Sequence, residues 1–199
     1  RVLPAPSIDP STIPPCRVTD ALEQSADHFR THRWAFVEGI FDPAFHRFLV
    51  AHWPRRRYFT APFDVHKAYD KGFRWVDHNP AKDRWGELIA DDARGYEHPA
   101  FMEEHPHVRL LIDYLRSPAF IARATALSDR PDELQFNRFQ MTTSYPGTLV
   151  APHRDSPQPV RNWISFIFYV EGTGGESSGG TAILRDNEFN DVVFEPKAL

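Results

Sequence analysis

The chemistry in this chain concentrates at His153-Arg154-Asp155, an imidazole and a carboxylate two positions apart, just behind the turn-forming Tyr145-Pro146-Gly147. On an extended backbone, residues i and i+2 project from the same face, so both side chains can reach one ion. A neutral imidazole nitrogen and a hard carboxylate oxygen, with room for one more imidazole, form the donor set that suits non-haem Fe(II). The pair alone is a weak signal, since roughly one His-x-Asp is expected by chance in a chain of this composition. A surface histidine beside a capping aspartate explains it equally well. The setting adds weight. The apolar run from Trp163 to Val170 presents Trp163, Ser165, Ile167 and Tyr169 on one face and Ile164, Phe166, Phe168 and Val170 on the other. A hydroxyl and a phenol among inward-facing apolar residues suit a pocket that holds a polar ligand.

Other motifs carry less. Gly175-Glu176-Ser177-Ser178-Gly179 matches the serine-hydrolase elbow in letters. That elbow joins a strand to a helix and its histidine follows in the chain, whereas here a strand follows and no histidine comes after Ser177. A flexible loop is the better account, and no Lys-Ser/Thr follows to make a phosphate-binding loop. Glu103-Glu104-His105-Pro106-His107 offers zinc ligands on paper, but it precedes a well-patterned helix. Acidic residues at a helix start are explained by the macrodipole. Arg55-Arg56-Arg57 reads as a solvated loop.

The elements that position these residues divide by pattern. Residues 1–18 carry five prolines and form an extended arm. Residues 19–199 read as a single domain, with helical support and a lid region over 19–133 and the β core from 134. Thr19 or Asp20 caps a helix over 21–32, with Glu23 completing a capping box. Residues 34–41 read as a strand, and Asp42-Pro43 starts a helix to about Trp53. Residues 55–100 hold many aromatics without a period and read as loops and short elements over one mouth of the fold. Val108, Leu111, Ile112 and Leu115 mark a helix, and Ser117-Pro118 caps another to Ser128. Short strands follow at 134–141, 148–150, 163–170, 181–184 and 192–194. Helices first and strands after make an α+β chain with a barrel or jelly-roll core.

Composition narrows the partners. The chain of 199 residues has a net charge of −4 and a pI near 6.2, which argues against nucleic acid. A chain this long buries a core without disulfides. Its single cysteine, Cys16, forms no internal bridge and suits the cytoplasm. No apolar run approaches the ~18 residues of a membrane span, and no signal-peptide core is present.

The stretch 134–199 resembles the 2-oxoglutarate/Fe(II)-dependent oxygenases of the prolyl-hydroxylase-like branch. The resemblance rests on Tyr145-Pro-Gly, His153-Arg-Asp155, Phe168-Tyr169-Val170, Ser178-Gly-Gly180 before a strand, and Phe194-Glu-Pro-Lys197, in that order. It implies a double-stranded β-helix (a cupin-like jelly roll) braced by the N-terminal helices, with Fe(II) and 2-oxoglutarate inside. His153 and Asp155 match two metal ligands. Tyr145 and Tyr169 match residues that contact 2-oxoglutarate, while Leu149, Ile167, Thr181 and Met141 fall where the family lines its pocket. Met141 and Arg154 are also the candidates for facing the substrate. The family's third ligand, a histidine, and the base that pairs with the 2-oxoglutarate carboxylate lie past its Glu-Pro-Lys landmark. They are expected beyond Leu199, with the last strands.

The implied activity is hydroxylation of an unactivated C–H bond. Desaturation and cyclisation stay open, and Asp155 stands where related halogenases carry a small residue. A small amino-acid-like or natural-product substrate is the first expectation, and a prolyl residue in a peptide the second. A jelly-roll binding module without metal is the non-catalytic alternative. A cupin-like isomerase would want His-x-His with a later glutamate.

Overall fold

In the computed structural model of the chain, the described residues are 8–54, 85–92, 99–128, 134–136, 138–144, 164–170, 183–184 and 192–194. The chain divides into two compact units, one of Arg1–Tyr58 and Ile89–Gln140, the other of Phe59–Leu88 and Met141–Leu199.

The first unit is helical. A 3-10 turn at Pro10–Thr12 is capped by Asp9, and the helices are α1 (Ala21–Gln24), α2 (Ala26–His32), α3 (Pro43–Ala51), α4 (Pro99–Glu104), α5 (Pro106–Arg116) and α6 (Pro118–Ser128). Local chemistry fixes several of their ends. Asp42 Oδ1 accepts from the Ala44 and Phe45 backbone N–H groups at 2.8 and 3.3 Å, satisfying two donors that α3 would otherwise leave orphaned. Ser117 Oγ accepts from Phe120 N–H at 3.3 Å and starts α6 in the same way. Proline at the first position of α3, α5 and α6 removes a donor that has no helical partner there.

Helical spacing then builds the core. Phe45 and Leu49 of α3, Val108, Leu111, Ile112 and Leu115 of α5, and Phe120, Ala124 and Leu127 of α6 are buried, joined by Phe101 and Met102 of α4. Fully burying one such large side chain stabilises by about 1.5–3 kcal/mol. Helix α6 packs on both α2 and α5.

One arginine ties the N-terminal arm to these helices. Arg123 Nη1 donates to Val18 O at 2.9 Å and Tyr114 Oη at 3.1 Å, and Nη2 donates to Thr19 O and Glu23 Oε2 at 2.7 Å each. Its Nε also bonds Glu23 Oε1, making the pair bidentate. Beside this latch, Val18 and Phe41 form an antiparallel bridge, flanked by Thr19 N–H to Ile40 O at 2.8 Å and Asp42 N–H to Arg17 O at 3.0 Å.

Strands are few among the described residues. Strands β1 (Trp85–Asp92) and β2 (Arg138–Ser144) pair, and β3 (Ile183–Leu184) pairs antiparallel with β4 (Val192–Phe194) through Ile183↔Phe194 and Leu184↔Val192.

The expected jelly roll is therefore corrected. Helices dominate the described residues, and their strands make two sheets of two strands each, not a double-stranded β-helix. The reasons are local. Residues 34–41 read as a strand but bend through a turn at Glu38–Gly39, where Gly39 has φ +63°, and only Phe41 makes a bridge. Residues 134–136 precede the ladder instead of joining it, with Leu134 N–H held by Thr125 Oγ1 at 3.2 Å. Residues 164–170 lie in no strand.

Smaller expectations also shift. The single helix over 21–32 breaks at Ser25, and Asp20 makes no side-chain cap; Glu23 spends its carboxylate on Arg123. The region 55–100, expected as loops and short elements, contains the eight-residue strand β1 and the start of α4. Glu103 and Glu104 lie in the last turn of α4, not at a helix start. The expected strand at 148–150 falls outside the described residues.

Candidate functional site

Residues 164–170 carry the part of the expected site that can be described. Their exposure alternates with period two: Ile164, Phe166, Phe168 and Val170 are half-buried, while Ser165, Ile167 and Tyr169 are exposed. The Phe166 and Phe168 rings lie near-parallel with centroids 6.2 Å apart, as side chains i and i+2 on one face require. The two faces match those expected from the sequence. The face carrying the hydroxyl and the phenol, expected to point inward, is instead the exposed one, with Ile167 54% and Tyr169 43% exposed. Met141 sits in β2 and is buried. Tyr145, Leu149, His153, Arg154, Asp155 and Thr181 lie outside the described residues.

A second group of polar side chains gathers inside the helical unit. His107, in the first turn of α5, has no exposed surface. The His52 ring at the C-terminus of α3 and the His105 ring at the elbow between α4 and α5 lie 6.0 and 5.7 Å from it, centroid to centroid. Phe48 of α3 meets it edge-on at 5.6 Å. Carbonyl groups orient the two flanking imidazoles. His52 Nδ1 is 2.9 Å from Phe48 O, and His105 Nδ1 is 3.1 Å from Phe101 O. A carbonyl only accepts, so each Nδ1 carries the proton.

Both nitrogens of His107 are buried and without a hydrogen-bond partner among the described residues. The His52 backbone is near enough to favour the charged ring slightly, but not in bonding geometry. Burial, then the neighbouring His105 and His52, push the His107 pKa down to about 4, so the ring is neutral at physiological pH. The sequence carried the signal: His107 begins the same apolar stripe as Val108, Leu111, Ile112 and Leu115.

Two further features bear on chemistry. A groove of about 400 Å³ is lined by Gln24, His28, Trp34, Phe36 and their neighbours, with His28 meeting Trp34 edge-on at 4.6 Å. It offers stacking surface. Burial pushes the Cys16 thiol up to about 12, so it is a poor nucleophile near neutral pH. Among the described residues, no group of three His, Cys, Asp or Glu side chains is placed to hold a metal ion, and no helix is long and apolar enough to cross a membrane.

The chain matches no protein-family model, and neither a curated protein nor a solved structure matches it.

Proposed function

We propose that the protein is a 2-oxoglutarate- and O2-dependent Fe(II) hydroxylase acting on a C–H bond of a small amino-acid-like or natural-product substrate in the cytoplasm. The observation that carries the reading is the ordered series Tyr145-Pro-Gly, His153-x-Asp155, Phe168-Tyr169-Val170, Gly179-Gly180 and Phe194-Glu-Pro-Lys197. The donor chemistry fits: one imidazole and one hard carboxylate suit Fe(II), which His153 and Asp155 would hold. Tyr145 and Tyr169 would position 2-oxoglutarate, with Leu149, Ile167 and Thr181 around it, and Met141 and Arg154 would face the substrate. Ser165, Ile167 and Tyr169 share one face of 164–170, as the reading requires; that face is exposed, so the sequence series carries the reading. Bound iron and 2-oxoglutarate would supply oxygen activation; the chain's own work is binding, orientation and exclusion of water.

The test uses the full-length protein. Anaerobic addition of Fe(II) and 2-oxoglutarate should give a visible charge-transfer band. In air, succinate release should rise with a panel of free amino acids more than with peptides. His153→Ala and Asp155→Ala should each remove both signals. A wild-type protein that gives neither band nor succinate, and whose ligand affinity is unchanged by His153→Ala, would be a binding module instead.

A further inference from the structure

We propose that His52, His105 and His107 form a proton-operated catch, which holds α3 against the α4–α5 elbow while neutral and releases it on acidification. The geometry supplies the holding state. The neutral His107 ring fills a fully buried position between Phe48 and His52 on one side and His105 on the other. It packs there as an aromatic body, although neither ring nitrogen has a partner among the described residues.

The same geometry supplies the release. A protonated His107 would be a buried cation with two unpaired donors, which is far more costly than the neutral ring. The titratable groups acting on it are His105 from the elbow and His52 from α3, and both disfavour its charge. Among the described residues, no carboxylate belongs to the groups that shift it. Each flanking imidazole has its Nδ1–H committed to a carbonyl, so neither offers that nitrogen as an acceptor to a protonated His107. Opening the elbow would let water reach the buried His105 and His107 rings, as it already reaches part of His52.

The direction follows from proton binding. The folded state holds His107 near 4 against an ordinary value of 6.5. The unfolded or opened state therefore binds more protons between these values, and the closed state weakens as pH falls. The catch is whole above about pH 6.5 and is lost progressively towards pH 4. With values of 6.5 and about 4, the opening equilibrium rises roughly 80-fold between pH 6.5 and 4, out of a limit of roughly 300-fold over the full titration.

Hydrogen exchange at amides of the α3 C-terminus and the α5 N-terminus, corrected for intrinsic rates, reads the opening directly. In the wild-type chain the opening constant should climb by roughly 80-fold from pH 6.5 to 4, and in His107→Phe that climb should be largely absent. A histidine-labelled NMR titration of the wild type gives an independent measure that needs no variant: the His107 ring should remain neutral at pH 5. A His107 that titrates near 6.5, or a wild type and variant that open with the same pH dependence, would overturn the proposal.

Discussion

Replacing Arg123 should cost more stability than replacing the glutamate it pairs with, and the contacts say why. Arg123→Met keeps the aliphatic stem but removes every donor. Two backbone carbonyls, of Val18 and Thr19, lose their guanidinium partners, as does the Tyr114 hydroxyl. Each lost bond in a part-buried setting costs about 1 kcal/mol. The ion pair adds less, because the Glu23 side chain is 49% exposed and the arginine 23%. A pair so open to solvent contributes about 0.5–1 kcal/mol and is screened by salt.

The sum for Arg123→Met is about 3.5–4 kcal/mol, which at 2–4 °C per kcal/mol lowers Tm by roughly 7–16 °C. Glu23→Ala should cost about 0.5–1 kcal/mol, with the loss shrinking at high salt. Arg123→Lys, a point charge without the planar fork, should fall between them. Urea melts of the three variants with unchanged m-values would measure this order. If Glu23→Ala proved as damaging as Arg123→Met, the ion pair would be holding the arm and the carbonyl contacts would be incidental. The pair also has a pH signature. Arg123 holds the Glu23 carboxyl below its ordinary range, so its contribution is present above that range and is lost as pH falls through the lowered value.

Two smaller perturbations test other parts of the helical unit. Asp42→Ala should destabilise by about 1 kcal/mol because two orphan N–H groups of α3 lose their acceptor, and Asp42→Ser should restore most of it in the same urea melts. Cys16, pushed up to about 12 by burial, should react slowly with a disulfide reagent at pH 8 in the native protein and fully once urea unfolds it; rapid native labelling would contradict that environment.

What was legible in the sequence is what neighbouring residues decide among themselves. Asp42-Pro43 and Ser117-Pro118 announced α3 and α6 because a cap and its helix lie within one turn of each other. The stripe from Val108 to Leu115 announced α5 because a 3.6-residue period is written in the chain. The two faces of 164–170 were readable for the same reason, since alternation is local. Of the candidate site, the face assignment of Ile167 and Tyr169 was readable, but not that this face would be the open one.

Strand pairing is another matter, because a ladder needs a partner that the strand's own residues do not name. Residues 34–41 have strand-like composition, yet Glu38-Gly39 turns the chain and leaves a single bridge to Val18. Glu23 shows the competition in energetic terms. Its spacing from Asp20 fits a capping box, in which its carboxylate would accept one backbone N–H for about 1 kcal/mol. A guanidinium 100 residues away offers two charge-assisted bonds to the same carboxylate. The guanidinium takes both carboxylate oxygens in a bidentate pair, a geometry the single backbone N–H of the box cannot offer, and the local box does not form. The capping residue and its rival are both visible in the sequence; only the fold says that they meet.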